Sequence, residues 1–390
     1  MTAAVLTAVL AVVMLPLGLW IGADALLNES SGNEVDTSVI DVPLTPAELL
    51  FVVGARGELA SVALLALDPS GAGGTIVSLP ARLAADIDKG DTPRSVADAY
   101  AAGGLAAARL EVEDILNITA TIAAEVTSEQ LTALIAPMGS ATLTLAAPVL
   151  DGPAADATTV LPAGQTSADA AKVAAGLSAV QSDVAESKRF NQVKELWAAV
   201  ATGGADAPAV ETGDDGDEPD APDSSESFFA WLFAGRIDVW QIEATIETDA
   251  VRNPSGADWY RLDAAETLLV VASTVPTAMS IATAGVTVML DIPFDDAELA
   301  KEAVTRLAYL EANIMVVRRV EGPPAAATKV YFNDLLARDE VAQYESLIGP
   351  MEVEQATEVV SGISVRMVLG SDFAALVSAG GGGVSTTVPG

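Results

Sequence analysis

Between Leu49 and Gly104 the chain passes through three short apolar runs: Leu49–Val53, Val62–Leu67 and Thr75–Leu79. Each is rich in Val or Leu and is bounded by Gly, Asp or Pro. Their length and flanking turn residues read as buried strands rather than helices. A chain carrying this stretch is committed to a sheet, and the elements that follow must cover it.

Those elements alternate. Thr92 to Ala102 and Leu105 to Ile115 read as helices separated by Gly103-Gly104. Thr119–Val126 alternates as a strand, Ser128–Ile135 returns as a helix, and Ala141–Ala146 is another strand. Asp151 to Ala163 has the Gly and Pro of a loop, and Ser167–Val180 and Asp183–Val200 have apolar residues at helical spacing. Ile237–Ile246 alternates again, and Ala265–Ser273 is a further apolar run. Strands interleaved with helices predict a layered α/β domain over residues 47–280.

A second, smaller α/β domain is expected over 283–377. Its order is strand (Val286–Ile292), helix (Asp295–Glu311), strand (Ile314–Val320), strand (Lys329–Phe332), helix (Asn333–Ile348), strand (Glu352–Gln355) and strand (Ser364–Leu369). Asp295 is the expected N-cap of the first helix, with Glu298 completing a capping box. Residues 378–390 read as a flexible tail.

Composition removes whole classes of function. The 390 residues include no Cys, so there is no disulfide, thiolate nucleophile or thiolate metal site, and no His, the usual general base. A Ser-His-Asp triad and a His-based zinc site are both excluded. Nineteen basic against 54 acidic residues give a formal charge of −35, a field that repels nucleic acid.

Thr2 to Gly22 carries no charge and is nearly all apolar. About 20 residues at a helical rise match a bilayer core of roughly 30 Å. The competing reading is a cleaved signal peptide, but the basic leader is missing and the apolar run is long. Residues 1–23 are therefore expected to be one transmembrane anchor. The first basic side chain is Arg56, and this favours an extracytoplasmic location for the rest. Residues 24–46 read as a linker. Residues 203–226 hold nine acids, three prolines and no basic residue, the signature of a disordered acidic insertion. The run DDGDEPD lacks the spacing of a calcium loop. Phe228, Phe229, Trp231 and Trp240 fit core packing or, alternatively, the lining of a lipid tail.

Several motifs carry a family resemblance. They are Gly54-Ala55-Arg56 after the first strand, Ser78-Leu79-Pro80-Ala81-Arg82 after the third, Ala99-Tyr100-Ala101-Ala102-Gly103-Gly104, and Asp183 through Asn191. In this order they resemble the LytR-CpsA-Psr (LCP) family over roughly residues 49–200. The segment ending in VSGISVRMVLGSDF resembles the LytR C-terminal domain that follows some actinobacterial LCP modules. Its usual Asn-Gly after the first strand is replaced by Asp291-Ile292-Pro293. The resemblance implies transfer of lipid-linked glycopolymers onto the bacterial cell wall. It also implies an apolar pocket for a polyprenyl pyrophosphate, arginines on the phosphates, and two aspartates on Mg²⁺.

This chain departs from the family where the chemistry is done. In the family pattern G-x-D-x-R the metal aspartate falls at Arg56, and the second aspartate falls at Ala60. Glu58 replaces an arginine of the next motif, Ala81 replaces the arginine of S-x-P-R-D, and Glu186 replaces one in the last. The scaffold residues Tyr100, Gly103 and Gly104 remain. Arg56, Arg82, Arg189 and Tyr100 are therefore the candidate phosphate or lipid contacts, with no catalytic set, no metal ligand and no cofactor expected. The alternative for the arginines is pairing with neighbouring acids.

Three functional readings follow. The first is a membrane-anchored, catalytically degenerate LCP-like protein in envelope assembly or its regulation, whose partner is a polyprenyl-linked glycan or an envelope protein. The second is an active ligase with a diverged site. The third is an extracellular interaction module without a lipid ligand.

Overall fold

A computed structural model describes residues 38–40, 42–84, 93–182, 184–204, 221–280, 286–333 and 335–379. The expected anchor at 1–23, most of the linker, residues 205–220 of the acidic insertion and the tail from 380 lie outside the described residues. Among the described residues no helix is long and apolar enough to cross a membrane.

The expected apolar runs form strands β2 (Ala47–Val53), β3 (Leu59–Leu67) and β4 (Gly74–Leu79). With β5 (Ile122–Val126) and β10 (Ile237–Gln241) they make a five-stranded sheet in the order β10-β4-β3-β2-β5. β2 and β3, and β3 and β4, are antiparallel; β5 and β10 join the edges in parallel. Every residue of β2 and β3 is buried, as a sheet covered on both faces requires.

Alternate side chains sort the two faces. Leu49, Phe51, Val62, Leu64 and Val77 point to the side covered by helix α1 (Val96–Leu116). Leu50, Val52, Ala63, Leu65 and Ile76 meet helices α2 (Ser128–Leu134), α3 (Ala170–Ser178), α4 (Phe190–Gly204) and α5 (Ser225–Leu232). α1 begins on a Ser95–Asp98 capping box and is broken at Gly104, whose φ of 66° and ψ of −157° leave the helical region. This break separates the two helical halves expected on either side of Gly103-Gly104.

Some segments differ from the sequence reading. The supposed loop at 151–163 holds part of a hairpin, β7 (Val149–Asp151) and β8 (Thr158–Leu161). The helix expected from Ser167 starts at Ala170, because Gly164–Asp169 is strand β9, paired with β6 (Ser140–Leu145). The end of the acidic insertion is not loop: Ser224 caps α5, so Ser225 and Glu226 are its first turn. Phe228 and Phe229 are core, whereas Trp240 is exposed.

β11 (Ala244–Ile246) and β12 (Tyr260–Leu262) form a small antiparallel pair that leads into helix α6 (Ala264–Thr274). α6 packs against helix α7 (Ala297–Tyr309) and β14 (Asn313–Arg319) of a second sheet. That sheet adds β13 (Thr287–Ile292), β15 (Thr328–Phe332), β16 (Met351–Gln355) and β18 (Val365–Val368), in the order β14-β13-β18-β15-β16. One continuous apolar cluster runs from Phe51 and Val112 through Val270 to Leu290 and Met367, so the two α/β units share a core. The cap of α7 is Asp296, not Asp295: its carboxylate accepts the amides of Glu298 and Leu299, while Asp295 pairs with Arg319. The helix expected over Asn333–Ile348 is interrupted, with helical turns at Leu335–Val341 and Glu345–Ile348 joined by a 3₁₀ turn. Part of the supposed linker is strand β1 (Ser38–Ile40), which pairs in parallel with β17 (Glu358–Val360) of the second unit.

Candidate functional site

The candidate contacts sit on four separate elements. Arg56 is in the tight turn between β2 and β3, closed by Gly54 N–H on the Glu58 carbonyl at 2.8 Å. A side chain at Gly54 would meet the Glu58 carboxylate at 2.9 Å, so the glycine makes room for that acid. Arg82 follows β4 in the Pro80-Ala81-Arg82 turn. Tyr100 lies on the second turn of α1, and Arg189 precedes α4. The fold brings all four to one pocket of about 290 Å³, also lined by Glu58, Ala60, Ala81, Ala97, Val180 and Glu186. Asp183, the remaining residue of the last motif, lies outside the described residues.

Carboxylates of the chain itself occupy the anion donors of this pocket. Glu186 accepts the amide N–H of Ala81 at 2.6 Å and of Arg82 at 2.9 Å, one on each oxygen. Glu58 accepts the Arg56 amide at 3.0 Å and pairs with its guanidinium at 2.5 Å. Two converging backbone amides are a ready anion site, and here an internal acid fills it. Arg56 also donates to the Val180 carbonyl at 3.1 Å and lies 3.8 Å from Asp151. Arg82 lies 3.7 Å from Asp258. Among the described residues Arg189 makes only long contacts, 3.4 Å to the carbonyls of Ala60 and Gly176, and its Nε has no hydrogen-bond partner there. The arginines therefore both gather in one pocket and face neighbouring acids.

Burial governs the electrostatics. It raises the carboxyl of Glu186 above its ordinary range, against the Ala81 and Arg82 amides and the Arg189 and Arg82 charges, which lower it. Burial likewise lowers the Arg189 guanidinium, opposed by Glu186 and Asp151. An arginine stays charged through such a shift, so the attraction between Arg189 and Glu186 offsets part of a steep desolvation cost. The Tyr100 hydroxyl is pushed up to about 12 by burial and then by Glu125, and is neutral at physiological pH.

The clamp behind Glu186 has no signature in the sequence. Asp258 accepts the Glu186 amide at 2.7 Å and the hydroxyl of Tyr260, and Tyr260 in turn accepts the Ser187 amide at 3.0 Å. The Phe190 ring meets Tyr260 edge-on at 4.9 Å. These contacts fix the 186–190 turn against β12 and aim Glu186 at the Ala81–Arg82 amides.

The donor set does not fit a divalent cation. The LCP resemblance aligns the family's two aspartates with a guanidinium, Arg56, and a methyl, Ala60. Glu58 and Glu186 are each engaged by donors of the chain, and among the described residues no three acidic side chains gather closely enough to hold a metal ion. Mg²⁺ takes carboxylate oxygens in near-octahedral geometry, which an arginine opposes.

The face beneath α1 is closed. Leu49, Phe51, Val62, Leu64 and Val77 on the sheet, and Val96, Ala99, Ala108 and Val112 on the helix, have 0% accessible surface. No opening as wide as a water molecule lies against them, so no lipid tunnel runs between these residues.

No family model matches the sequence, and no curated protein matches it. Among solved structures the chain is similar to B. subtilis TagV, at 13% identity and a TM-score of 0.38, over 58% of this chain and 94% of that one. It is similar to TagT bound to LI-WTA, at 14% identity and a TM-score of 0.39, over 58% and 87%. The same identity and TM-score relate it to TagT bound to LIIa-WTA, over 58% and 88%. TagV and TagT are enzymes of the LCP family.

Proposed function

We propose that this chain is a membrane-anchored, extracytoplasmic LCP-like protein of cell-wall glycopolymer assembly or its regulation. In this reading it holds the phosphate-bearing head of a polyprenyl-linked ligand and does not turn it over. One observation carries the reading: Arg56, Arg82, Arg189 and Tyr100 meet in a single pocket whose anion donors are filled by Glu58 and Glu186. A phosphate entering the pocket displaces those carboxylates and gains the same amides and guanidiniums, donors that suit phosphate oxygens. The uncharged stretch from Thr2 to Gly22 supports the anchor. In this reading the prenyl chain lies outside the closed face beneath α1.

Binding distinguishes this role from that of a module with no lipid ligand. Purified protein is titrated with a polyprenyl pyrophosphate in detergent. Affinity is expected to fall about tenfold on Arg56→Ala or Arg189→Ala, on the order of one lost charge-assisted contact, and not to respond to EDTA. Absence of binding, or binding indifferent to both substitutions, overturns the role of this pocket.

A further inference from the structure

A second cleft, which shares no residue with the Arg56 pocket, is lined by apolar side chains and two arginines. It lies between the second sheet and the segment that leads from β1 into β2, and encloses about 360 Å³. That is the size of a small-ligand site. Its walls include Val42, Pro43, Pro276, Met289, Val316 and Val360, and Arg318 and Arg366 stand at one end.

The strand register puts the two arginines together. Asp291 of β13 lies opposite Arg318 of β14, and Met289, two residues back on the same face, lies opposite Arg366 of β18. The Asp291 side chain is 0% exposed and accepts three N–H groups: Arg318 Nε at 2.5 Å, Arg318 Nη2 at 3.1 Å and Arg366 Nε at 2.7 Å. The guanidinium of Arg366 also lies 5.8 Å from the centre of the Tyr331 ring, which helps to fix it. Among the described residues, Asp291 is the only acid within ion-pair distance of either arginine. The arginine side chains are 46% and 33% exposed, so their outer edges are open. Glu358, on the exposed rim, is the other charged residue of the lining.

The charge count selects the ligand. Two guanidiniums stand against two carboxylates, buried Asp291 and Glu358 on the rim, so the fixed charges of the cleft cancel in a chain of net charge −35. A monoanion leaves the cleft one negative charge and a dianion two, so the monoanion is the less opposed of the two, held by the open edges of the guanidiniums. A planar carboxylate matches the guanidinium fork, and the apolar walls suit a hydrocarbon body. We propose that this cleft binds a carboxylate-headed amphiphile of the fatty-acid type, its head on Arg318 and Arg366. The lining comes from both units, Ser273 and Pro276 from the first and Met289 and Val316 from the second. A ligand there touches both units. Nothing in this proposal depends on the Arg56 pocket.

The test titrates the full chain with decanoate, decyl phosphate and decanol by calorimetry. Decanoate is expected to bind one to one, at least tenfold more tightly than decanol and more tightly than decyl phosphate. Arg318→Gln and Arg366→Gln should each weaken decanoate binding about tenfold. Val316→Trp, which fills the cleft and leaves the guanidiniums in place, should abolish it, with near-ultraviolet circular dichroism confirming the native fold of each variant. The proposal is overturned if decanoate fails to bind, if decanol binds as well, if decyl phosphate binds more tightly, or if natively folded arginine or tryptophan variants bind decanoate unchanged.

Discussion

Glu48 tests the energetics of the first sheet in one residue. It sits in the middle layer of the molecule on β2 with 0% of its surface accessible, and shares the face of Leu50 and Val52. One carboxylate oxygen accepts the hydroxyl of Ser225, the residue that opens α5, and the other has no hydrogen-bond partner among the described residues. Burial pushes its carboxyl up from 4.5 to about 7; the Ser225 hydrogen bond lowers it and the nearby Glu226 raises it. The native state therefore keeps a proton that the unfolded chain has lost between pH 4.5 and about 7. Over that window the unfolded state binds fewer protons, so stability falls as pH rises. The interval corresponds to roughly 3 kcal/mol, fully expressed above the folded value. Glu48→Gln keeps the shape and an acceptor for Ser225 and removes the ionisation. In urea unfolding of the purified protein, the variant should match the parent within about 1 kcal/mol at pH 5 and exceed it by roughly 3 kcal/mol at pH 8.5. Taking the difference between the two proteins cancels the titration of the other acids. A difference that stays constant from pH 5 to 8.5 refutes the argument that a buried, half-partnered carboxyl resists ionisation at this site.

Three further outcomes follow from particular contacts. Gly73 has a φ of +84°, and a Cβ there would lie 2.3 Å from the Arg236 carbonyl oxygen, where β4 and β10 meet; Gly73→Ala should cost about 2–3 kcal/mol in urea unfolding, and an unchanged midpoint would count against this joint. Arg306, 1% exposed, donates to Glu302 at 2.8 Å and to the Leu347 carbonyl at 2.7 Å; Arg306→Ala should cost about 2–4 kcal/mol by the same assay, because that carbonyl loses its donor inside the core. Glu186→Gln removes the charge that holds the Ala81 and Arg82 amides; affinity for a polyprenyl pyrophosphate should rise about tenfold, and an unchanged affinity would mean that Glu186 does not compete for those donors.

The parts of the fold that the sequence discloses are those written in local chemistry. β2, β3 and β4 are unbroken apolar runs closed by Gly, Asp and Pro, and the Gly104 break in α1 follows from two adjacent glycines. The elements that escape sequence reading are short, polar or paired across great distances. β1 and β17 are three residues each and meet from opposite ends of the chain. β9 is largely exposed and has no apolar alternation to betray it. Asp295 and Asp296 are adjacent and chemically equal as caps, and only the backbone decides between them. The site divides in the same way. Arg56, Arg82, Arg189 and Tyr100 occupy fixed places after strands or on helix turns, so motif spacing brings them together. The partners of Glu186 are backbone amides, which have no residue signature, and its clamp comes from Asp258 and Tyr260, some seventy positions away.

The most direct test of the central claim is turnover. The LCP resemblance implies Mg²⁺ to neutralise a pyrophosphate, yet it aligns Arg56 and Ala60 with the two metal aspartates. Purified protein is incubated with a polyprenyl pyrophosphate, with and without Mg²⁺, and phosphate release is followed beside a protein-free control. The account predicts release equal to the control under both conditions while the lipid is bound. Release that depends on Mg²⁺ and is lost on Arg56→Ala would contradict it.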